Sequence, residues 1–245
     1  MVVGVFCKEK GKGVSFEDCA NCAKCLPAPV IRSLKQHDFF YQRNVYHVND
    51  VIGCLRKAYY NRKEPQADVF HPLDKLVAFK RGKLFEGMVS STKWKELPGS
   101  LTYKIDGETV KLTGRLDVYD PENYEITEIK SKEIKYNTTL PKQKDVLQLQ
   151  CYGTIFKDIF AVEKLRLVYF DMNIFRQYAV PFVDKSSWLK ERVTNLHVAV
   201  RDSKPPMKER SYWCNYCSYA KKCSSLIKIK TIMRARKEKV LRLTK

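Results

Sequence analysis

The spacing of apolar residues along the chain changes twice, from a helical period to an alternating one and back. Residues 50–62 carry apolar side chains three or four positions apart, which predicts a helix with Asn49 as its N-cap and Cys54 inside it. The same spacing predicts a longer helix over residues 71–94. We expect this second helix to contribute to the core through Leu76, Phe79, Leu84 and Met88.

Between residues 101 and 132 apolar and polar residues alternate instead. Asp106 and Gly107 separate two alternating segments, and an Asp-Gly pair is typical of a tight hairpin turn. With a third alternating segment after Pro121, the pattern predicts a meander of three strands over residues 101–106, 107–120 and 124–132.

The remaining pattern predicts a helix over 141–160, strands over 165–172 and 175–183, and a helix that Asp184 caps and that reaches Arg201. The order of the predicted elements favours an α/β fold with a mixed central sheet flanked by helices. That order is helices, three strands, a helix, two strands and a helix. We expect four parts: a cysteine-rich extension (1–28), the main domain (29–204), a second cysteine region (205–227) and a basic tail (228–245).

Composition points to the kind of partner. The chain has 245 residues, 44% of them hydrophobic, which is typical of a folded protein with a sizeable core. Lys and Arg number 46 against 27 Asp and Glu, so the formal charge of +19 predicts a polyanionic partner, nucleic acid before a membrane surface. The N-terminal apolar run is too short for a signal peptide, and we expect a cytoplasmic protein without a membrane partner.

Nine cysteines need an explanation, because a reducing compartment disfavours disulfides. Seven of them fall into two groups near the chain ends, which favours metal binding. Cys54 and Cys151 stand alone between the groups, and Cys151 is interpreted as a buried helix residue. The two groups are Cys7, Cys19, Cys22 and Cys25, and Cys214, Cys217 and Cys223.

Asp117 and the pair Glu128 and Lys130 lie on neighbouring predicted strands. Because strand side chains alternate, Glu128 and Lys130 share one face of the sheet. If Asp117 points the same way, two carboxylates converge beside an ammonium group, and such oxygen ligands suit Mg²⁺ or Mn²⁺, which activates water for phosphodiester hydrolysis. Taken alone, a Glu-x-Lys triplet is more often a solvated strand face.

The order of Asp117, Glu128-x-Lys130 and a helix carrying Gln148 and Tyr152 resembles the PD-(D/E)xK nucleases, in particular their RecB-like branch. The resemblance implies a restriction-endonuclease-like core. It also implies that Asp117 and Glu128 bind the metal, that Lys130 assists the attacking water, and that Gln148 and Tyr152 position the DNA strand. Gln148 and Tyr152 are four residues apart and therefore share one helical face.

The cysteines extend this resemblance. In iron-sulfur members of the RecB-like branch, one cysteine in an N-terminal helix joins three cysteines that follow the nuclease core. This chain is similar, with Cys54 and the later Cys214, Cys217 and Cys223, which implies a 4Fe-4S cluster joining the N- and C-terminal segments; four thiolates also suit zinc.

Residues 48–225 as a whole resemble the Cas4 family of CRISPR-associated exonucleases. The resemblance implies metal-dependent exonuclease activity on single-stranded DNA ends, and trimming of spacer precursors beside the CRISPR integrase proteins. One departure concerns the RGxxxH motif of that family, because Glu86 stands where the histidine is usual, after Arg81 and Gly82. Glutamate is still an oxygen ligand, so Glu86 is a candidate third metal ligand. A non-catalytic nucleic-acid-binding scaffold subunit and a RecB-like repair nuclease stay open as alternatives.

Two cysteine-rich or basic regions fall outside the shared pattern. Cys19, Cys22 and Cys25 have a CxxCxxC spacing that recurs in ferredoxin-like sites, with Cys7 as the nearest fourth ligand. We hypothesise a second metal site there, holding zinc or a second cluster, with free thiols as the alternative.

The basic tail is interpreted as a phosphate-binding segment or a solvated helix. The nearby Tyr212, Trp213, Tyr216 and Tyr219 are interpreted as base-stacking residues or as packing around the cluster.

Overall fold

The structure is a computed structural model and describes residues 2–35, 41–64, 69–89, 94–131, 134, 139–171 and 174–223. The strands are β1 (Val2–Cys7), β2 (Lys12–Ser15), β3 (Val45–His47), β4 (Val69–His71), β5 (Lys95–Ile105), β6 (Glu108–Asp120), β7 (Glu125–Ser131), β8 (Lys164–Phe170) and β9 (Phe175–Val180). The helices are α1 (Phe16–Cys22), α2 (Ala28–Ser33), α3 (Val48–Ile52), α4 (Leu55–Lys63), α5 (Leu73–Val89), α6 (Gln143–Phe156), α7 (Ser186–Arg201) and α8 (Ala220–Cys223), with a 3-10 helix at Tyr212–Tyr216. The predicted basic tail lies outside the described residues.

A mixed sheet forms the centre of the molecule. Its strand order is β3-β6-β7-β8-β9. The sixth strand, β5, lies outside this order and pairs with residues 108–118 of β6. The pairs β5–β6, β6–β7 and β8–β9 are antiparallel, whereas β7–β8 is parallel because α6 crosses between the two strands. The predicted mixed α/β fold is confirmed, and α6 lies against the sheet strands that it connects.

The hairpin between β5 and β6 turns at the predicted dipeptide. Asp106 and Gly107 both have positive φ angles, 47° and 84°, as a two-residue turn between twisted strands requires. At the far end of the domain Asp184 accepts hydrogen bonds from the backbone N–H and hydroxyl of Ser186 at 2.9 and 2.6 Å. The prediction that Asp184 caps this helix was wrong by one residue, because the N-cap of α7 is Lys185 and the Asp184 contacts lie just before it.

The helix predicted over residues 50–62 is two helices, and this prediction was wrong. Gly53 is extended (φ −94°, ψ −165°), so α3 ends at Ile52 and α4 begins at Leu55 with Cys54 as its N-cap. The N-cap of α3 is His47, whose backbone N–H donates to Asp50, and not Asn49. Arg192 of α7 donates to the carbonyls of Val51 and Gly53, which stabilises the break with bonds that local spacing does not reveal.

The N-terminal segment forms a unit with its own small sheet and core. The sheet order is β2-β1-β4, and β4 runs parallel to β1 although it lies more than sixty residues later in the chain. The unit therefore extends past residue 28, to α2 and the start of α5. Its buried residues are Val5, Phe16, Ala20, Ile31, Leu34 and Leu76.

Helix α5 differs from its predicted packing. Leu76 is buried in the N-terminal unit, but Phe79 and Leu84 are 42% and 60% exposed. The expectation that these two residues are core contacts was wrong, because apolar spacing alone does not say which helix face has a neighbour. The side chain of Met88 lies outside the described residues. Among the described helices none is both long and apolar enough to cross a membrane.

Candidate active site

The site begins where strands β6 and β7 separate. Their described pairing runs from Asp120 opposite Glu125 to Val118 opposite Thr127, which places Asp117 across from Glu128. Beyond that pair the Asp117 carboxylate accepts a hydrogen bond from the backbone N–H of Ile129 at 2.7 Å. The Asp117 side chain thus takes the place of a backbone carbonyl as the acceptor of this N–H group.

Glu128 and Lys130 point to the same face of β7, as alternation predicts. The Lys130 ammonium group donates to Glu128 Oε1, and Glu128 is only 2% exposed. Lys130 also donates to Gln148 Oε1 of α6 at 2.8 Å. Two strands and the crossover helix therefore bring together an acidic pair, an ammonium group and an amide.

Helix α6 completes the arrangement. Gln148 Nε2 donates to the Tyr152 hydroxyl at 2.9 Å, so the amide that contacts Lys130 has a fixed orientation. Gly114 of β6 is necessary for this approach, because a Cβ there would stand 2.9 Å from the Tyr152 ring. We call Asp117, Glu128, Lys130, Gln148 and Tyr152 the carboxylate site.

The carboxylate site holds two carboxyl groups and one ammonium group, so Lys130 alone does not neutralise both acids. Burial raises the pKa of Glu128 to about 8, and the neighbouring Asp117 carboxylate raises it further, against the opposing effect of Lys130. Burial also raises the pKa of Asp117. Burial disfavours the ammonium form of Lys130, but the Glu128 carboxylate outweighs it and the pKa of Lys130 is raised. Lys130 is therefore a hydrogen-bond donor and not a base.

Glu128 Oε2 is buried and has no hydrogen-bond partner among the described residues. An unpaired buried carboxylate oxygen is costly, and a cation between Asp117 and Glu128 would remove the cost. Hard oxygen donors of this kind fit Mg²⁺ or Mn²⁺. Within the described part of the chain no group of three His, Cys, Asp or Glu side chains could hold a metal ion, so a further protein ligand would have to come from elsewhere.

Glu86 was predicted as that further ligand. Its backbone lies in α5, which contacts β7, the strand that carries Glu128 and Lys130. The Glu86 side chain lies outside the described residues, so its role stays a prediction.

The four cysteines Cys54, Cys214, Cys217 and Cys223, here called the cysteine group, lie around the N-terminus of α4. Burial raises the pKa of the Cys54 thiol, and the nearby Glu209 and Cys214 raise it further, against the lowering effect of the backbone N–H groups of Lys57 and Arg56. Cys214 Sγ accepts from the N–H of Ser211 at 3.4 Å, and the Arg56 guanidinium lies 3.9 Å from Cys223 Sγ. Donors around the sulfurs suit thiolate ligands. In the described part of the chain the four sulfurs are not arranged closely enough to count as a metal-binding group.

Residues that the sequence analysis did not identify anchor the cysteine group to the main domain. Arg192 forms an ion pair with Glu209, and Arg56 Nε donates to the Pro206 carbonyl at 2.8 Å. The Tyr219 ring stacks on Tyr60 with centroids 5.3 Å apart. The position of Arg56, two residues after Cys54, could have indicated its contact with the cysteine group. No sequence pattern indicates the ion pair between Arg192 and Glu209.

The N-terminal cysteines Cys7, Cys19, Cys22 and Cys25 also lie near one another. Burial raises the pKa of the Cys19 thiol, and Cys25, Cys22 and Cys7 each raise it further. Cys19 and Cys22 are one turn apart on α1, and Ala23 then reverses the chain in the left-handed region (φ 47°) toward Cys25. Cys151, in contrast, is fully buried in the main core, as predicted.

Comparison with known proteins adds a family. A model described as the PD-(D/E)XK nuclease superfamily matches residues 39–224, a span that contains the carboxylate site and the cysteine group. The crystal structure of SSO0001 is similar with a TM-score of 0.53 and 19% identity, covering 74% of this chain and 86% of that chain, a likeness of fold.

A phage related exonuclease from Haemophilus somnus 129PT gives a TM-score of 0.37 and 8% identity over 66% of this chain and 93% of that chain, too low to establish a common fold. No curated protein matches.

Proposed function

Because the chain belongs to the PD-(D/E)XK nuclease superfamily, whose members are metal-dependent nucleases, we propose that it hydrolyses DNA phosphodiester bonds at the carboxylate site. The observation that carries the proposal is the meeting of Asp117, Glu128 and Lys130 around a buried carboxylate oxygen that lacks a partner. A scaffold protein would have no reason to keep this arrangement, because crowded buried acids cost stability.

We propose that Asp117 and Glu128 hold Mg²⁺ or Mn²⁺ and that Glu86 joins them. When bound, such a cation supplies charge stabilisation and lowers the pKa of a water molecule. Lys130 stays protonated, and its ammonium group orients the attacking water and offsets the charge that develops on the phosphate. Gln148 holds Lys130 in place, and Tyr152 holds Gln148; both contribute to positioning the strand.

The test is hydrolysis of single-stranded DNA labelled at either end, with Mn²⁺ and with EDTA. Wild-type protein should release short products only with the metal, and Asp117→Ala should lose about 1,000-fold or more in rate, since removing a metal ligand forfeits several kcal/mol of transition-state stabilisation. Glu122→Ala is the matched control, because Glu122 is an exposed carboxylate in the turn that joins β6 to β7. Equal activity of wild type and Asp117→Ala would overturn the proposal.

We further propose that the cysteine group holds a 4Fe-4S cluster, as the Cas4-type pattern implies. The Ser211 N–H that donates to Cys214 and the Arg56 guanidinium beside Cys223 support thiolate ligation. Protein purified without oxygen should be brown and contain about four iron atoms per chain, as this cluster type requires. Colourless protein with one zinc would contradict the cluster assignment and leave the nuclease proposal intact.

The N-terminal cysteines are proposed as a second site, for zinc or for a second cluster. Among the described residues their unit has a core of six buried side chains, and small cores of this kind commonly need a metal or a disulfide. Metal analysis of Cys19→Ser should show one site fewer than the wild type, whereas Cys151→Ala should change nothing. Identical metal content in wild type and Cys19→Ser would remove this second site.

The biological role that we propose is trimming of DNA ends during CRISPR spacer acquisition, beside the integrase proteins. It is supported by the Cas4-type combination of the Asp117, Glu128-x-Lys130 motif with the cysteine group. Stable association with an integrase in a pull-down, and shortening of the DNA that the integrase receives, would test it. Activity without any such association would favour the repair nuclease.

A further inference from the structure

Three aromatic side chains of the 3-10 helix face solvent. Tyr212, Trp213 and Tyr216 are 54%, 68% and 69% exposed, and we call them the aromatic triad. Leaving large aromatic surface in water forfeits stabilisation that burial would give, and clustered exposure of this kind marks an interaction surface. A fourth aromatic residue of the same segment, Tyr219, is buried against Tyr60 and so belongs to the packing.

The fold of the segment explains this division. Cys214 and Cys217 lie on the partly buried side of the turn, and Cys217 packs against the main core. The turn closes through the hydrogen bond from the Cys217 N–H to the Cys214 carbonyl at 3.3 Å. With its cysteines directed inward, the turn presents its tyrosines and tryptophan outward.

The three rings contact one another in edge-to-face or tilted arrangements. Tyr212 and Trp213 meet at 74°, and Trp213 and Tyr216 at 58°, so neither pair is stacked face to face. The hydroxyls of Tyr212 and Tyr216 lie 2.9 Å apart and hold the two tyrosines together. Because the Arg192–Glu209 ion pair anchors the segment, the triad is a fixed surface.

The charge around the triad is positive. Between residues 204 and 223 the only acidic residue is Glu209, which is neutralised by Arg192. The basic residues of this stretch are all exposed: Lys204, Lys208, Arg210, Lys221 and Lys222. Lys222 forms an ion pair with Glu64, so the excess of positive charge comes from the other four. Aromatic rings beside exposed cationic side chains match a single strand of nucleic acid, because each nucleotide offers both a base to stack and a phosphate to pair.

We propose that the aromatic triad stacks on unpaired bases of single-stranded DNA while the neighbouring lysines and arginines contact its phosphates. The inference rests on the proposed function only for the identity of the ligand, nucleic acid. It assigns the triad a binding role that is separate from the cleavage chemistry of the carboxylate site.

The test measures binding in EDTA, so that hydrolysis does not contribute. Fluorescence anisotropy of labelled dT20 is compared with that of an abasic strand of equal length and of a duplex. We expect Trp213→Ala and Tyr216→Ala each to weaken dT20 binding by about tenfold, within the range for loss of one stacked base, and to leave abasic binding unchanged. Trp213→Phe should retain most of the affinity. Phe175→Ala, which removes a 65% exposed ring on β9, is the matched control.

Two results would overturn the inference: unchanged dT20 affinity in the folded triad variants, or an equal loss on the abasic strand. Unchanged affinity would leave the triad as a contact for a protein partner or a second copy of the chain. Melting temperature and metal content show whether each variant is folded. Because binding is measured in EDTA, a protein that shows no nuclease activity still tests the triad.

Discussion

The carboxylate site and the cysteine group differ in how the chain assembles them. The carboxylate site comes from one continuous unit, β6, β7 and α6, and all its members lie between residues 117 and 152. The cysteine group joins residue 54 to residues near 223 through long-range contacts of Arg56, Arg192 and Tyr219.

The energetic consequences of the two arrangements are opposite. Without a cation the carboxylate site holds two buried acids with raised pKa values, so it destabilises the fold. A metal at the cysteine group would close a very long loop and stabilise the fold. Under the proposed function, the carboxylate site would lose stability in order to hold a catalytic cation, whereas a metal at the cysteine group would add stability without taking part in the chemistry.

After Asp117→Ala, the largest loss of hydrolysis rate should come from removing the ammonium group of the carboxylate site. Lys130→Met should lower the rate of DNA hydrolysis by about 100-fold or more, because a pre-positioned donor to the reacting group is lost. Lys164→Met, at an exposed position of β8, should keep the wild-type rate. Retention of full activity by Lys130→Met would exclude the proposed role of Lys130.

Next in size is the effect of opening the cysteine group. Cys214→Ser should release the iron and lower the free energy of unfolding by about 3 kcal/mol, a typical value for loss of a cross-link that closes a long loop. Cys151→Ala should retain the iron, since Cys151 is a core residue. Iron content and chemical denaturation measure the two effects, and a variant that keeps its iron would separate Cys214 from the cluster.

A smaller effect, of opposite sign, is expected from Asp117→Asn. The asparagine keeps an acceptor for the Ile129 N–H but removes one of two crowded charges. Since the folded-state pKa of Glu128 is raised, the wild-type protein binds more protons when folded, and its stability falls as pH rises from about 5 through about 8. In EDTA the variant should therefore gain about 1.4 kcal/mol per pKa unit relieved, and gain more at pH 8 than at pH 5.

Thermal melts with and without Mn²⁺ check this sign. Mn²⁺ should raise the melting temperature of the wild type more at pH 8 than at pH 6, because protons compete for the same oxygens, and should barely affect Asp117→Asn. A variant less stable than wild type at pH 8 in EDTA would contradict the account of the buried acids.

The smallest effect should come from the phenol that orients Gln148. Tyr152→Phe removes the acceptor of the Gln148 amide and should cost about 1 kcal/mol of stability and a few-fold in hydrolysis rate. Tyr103→Phe is the matched control, because the buried Tyr103 hydroxyl has no partner among the described residues, and its removal should be neutral or stabilising. Equal losses in both variants would mean that the Gln148 contact is unimportant.

Local patterns carried much of the information about the sheet. The alternation on either side of Asp106 and Gly107 predicted the hairpin, and the spacing of Glu128 and Lys130 predicted their common face. These features depend on residues close together in sequence, where the two-residue period and the turn preference act directly. The same reasoning failed at Gly53, because contacts from Arg192 stabilise the break between α3 and α4.

The amino-acid sequence by itself determined the strand meander, the crossover helix and the residue types of the carboxylate site, since all follow from periodicity and side-chain chemistry. Only the tertiary structure decided that β1 pairs with β4, that Cys54 caps α4, that Phe79 and Leu84 stay exposed, and that Tyr219 is buried while Trp213 is not. The reason is physical: burial and long-range pairing depend on which surfaces come into contact, and a local stretch of sequence does not determine which distant residues will contact it.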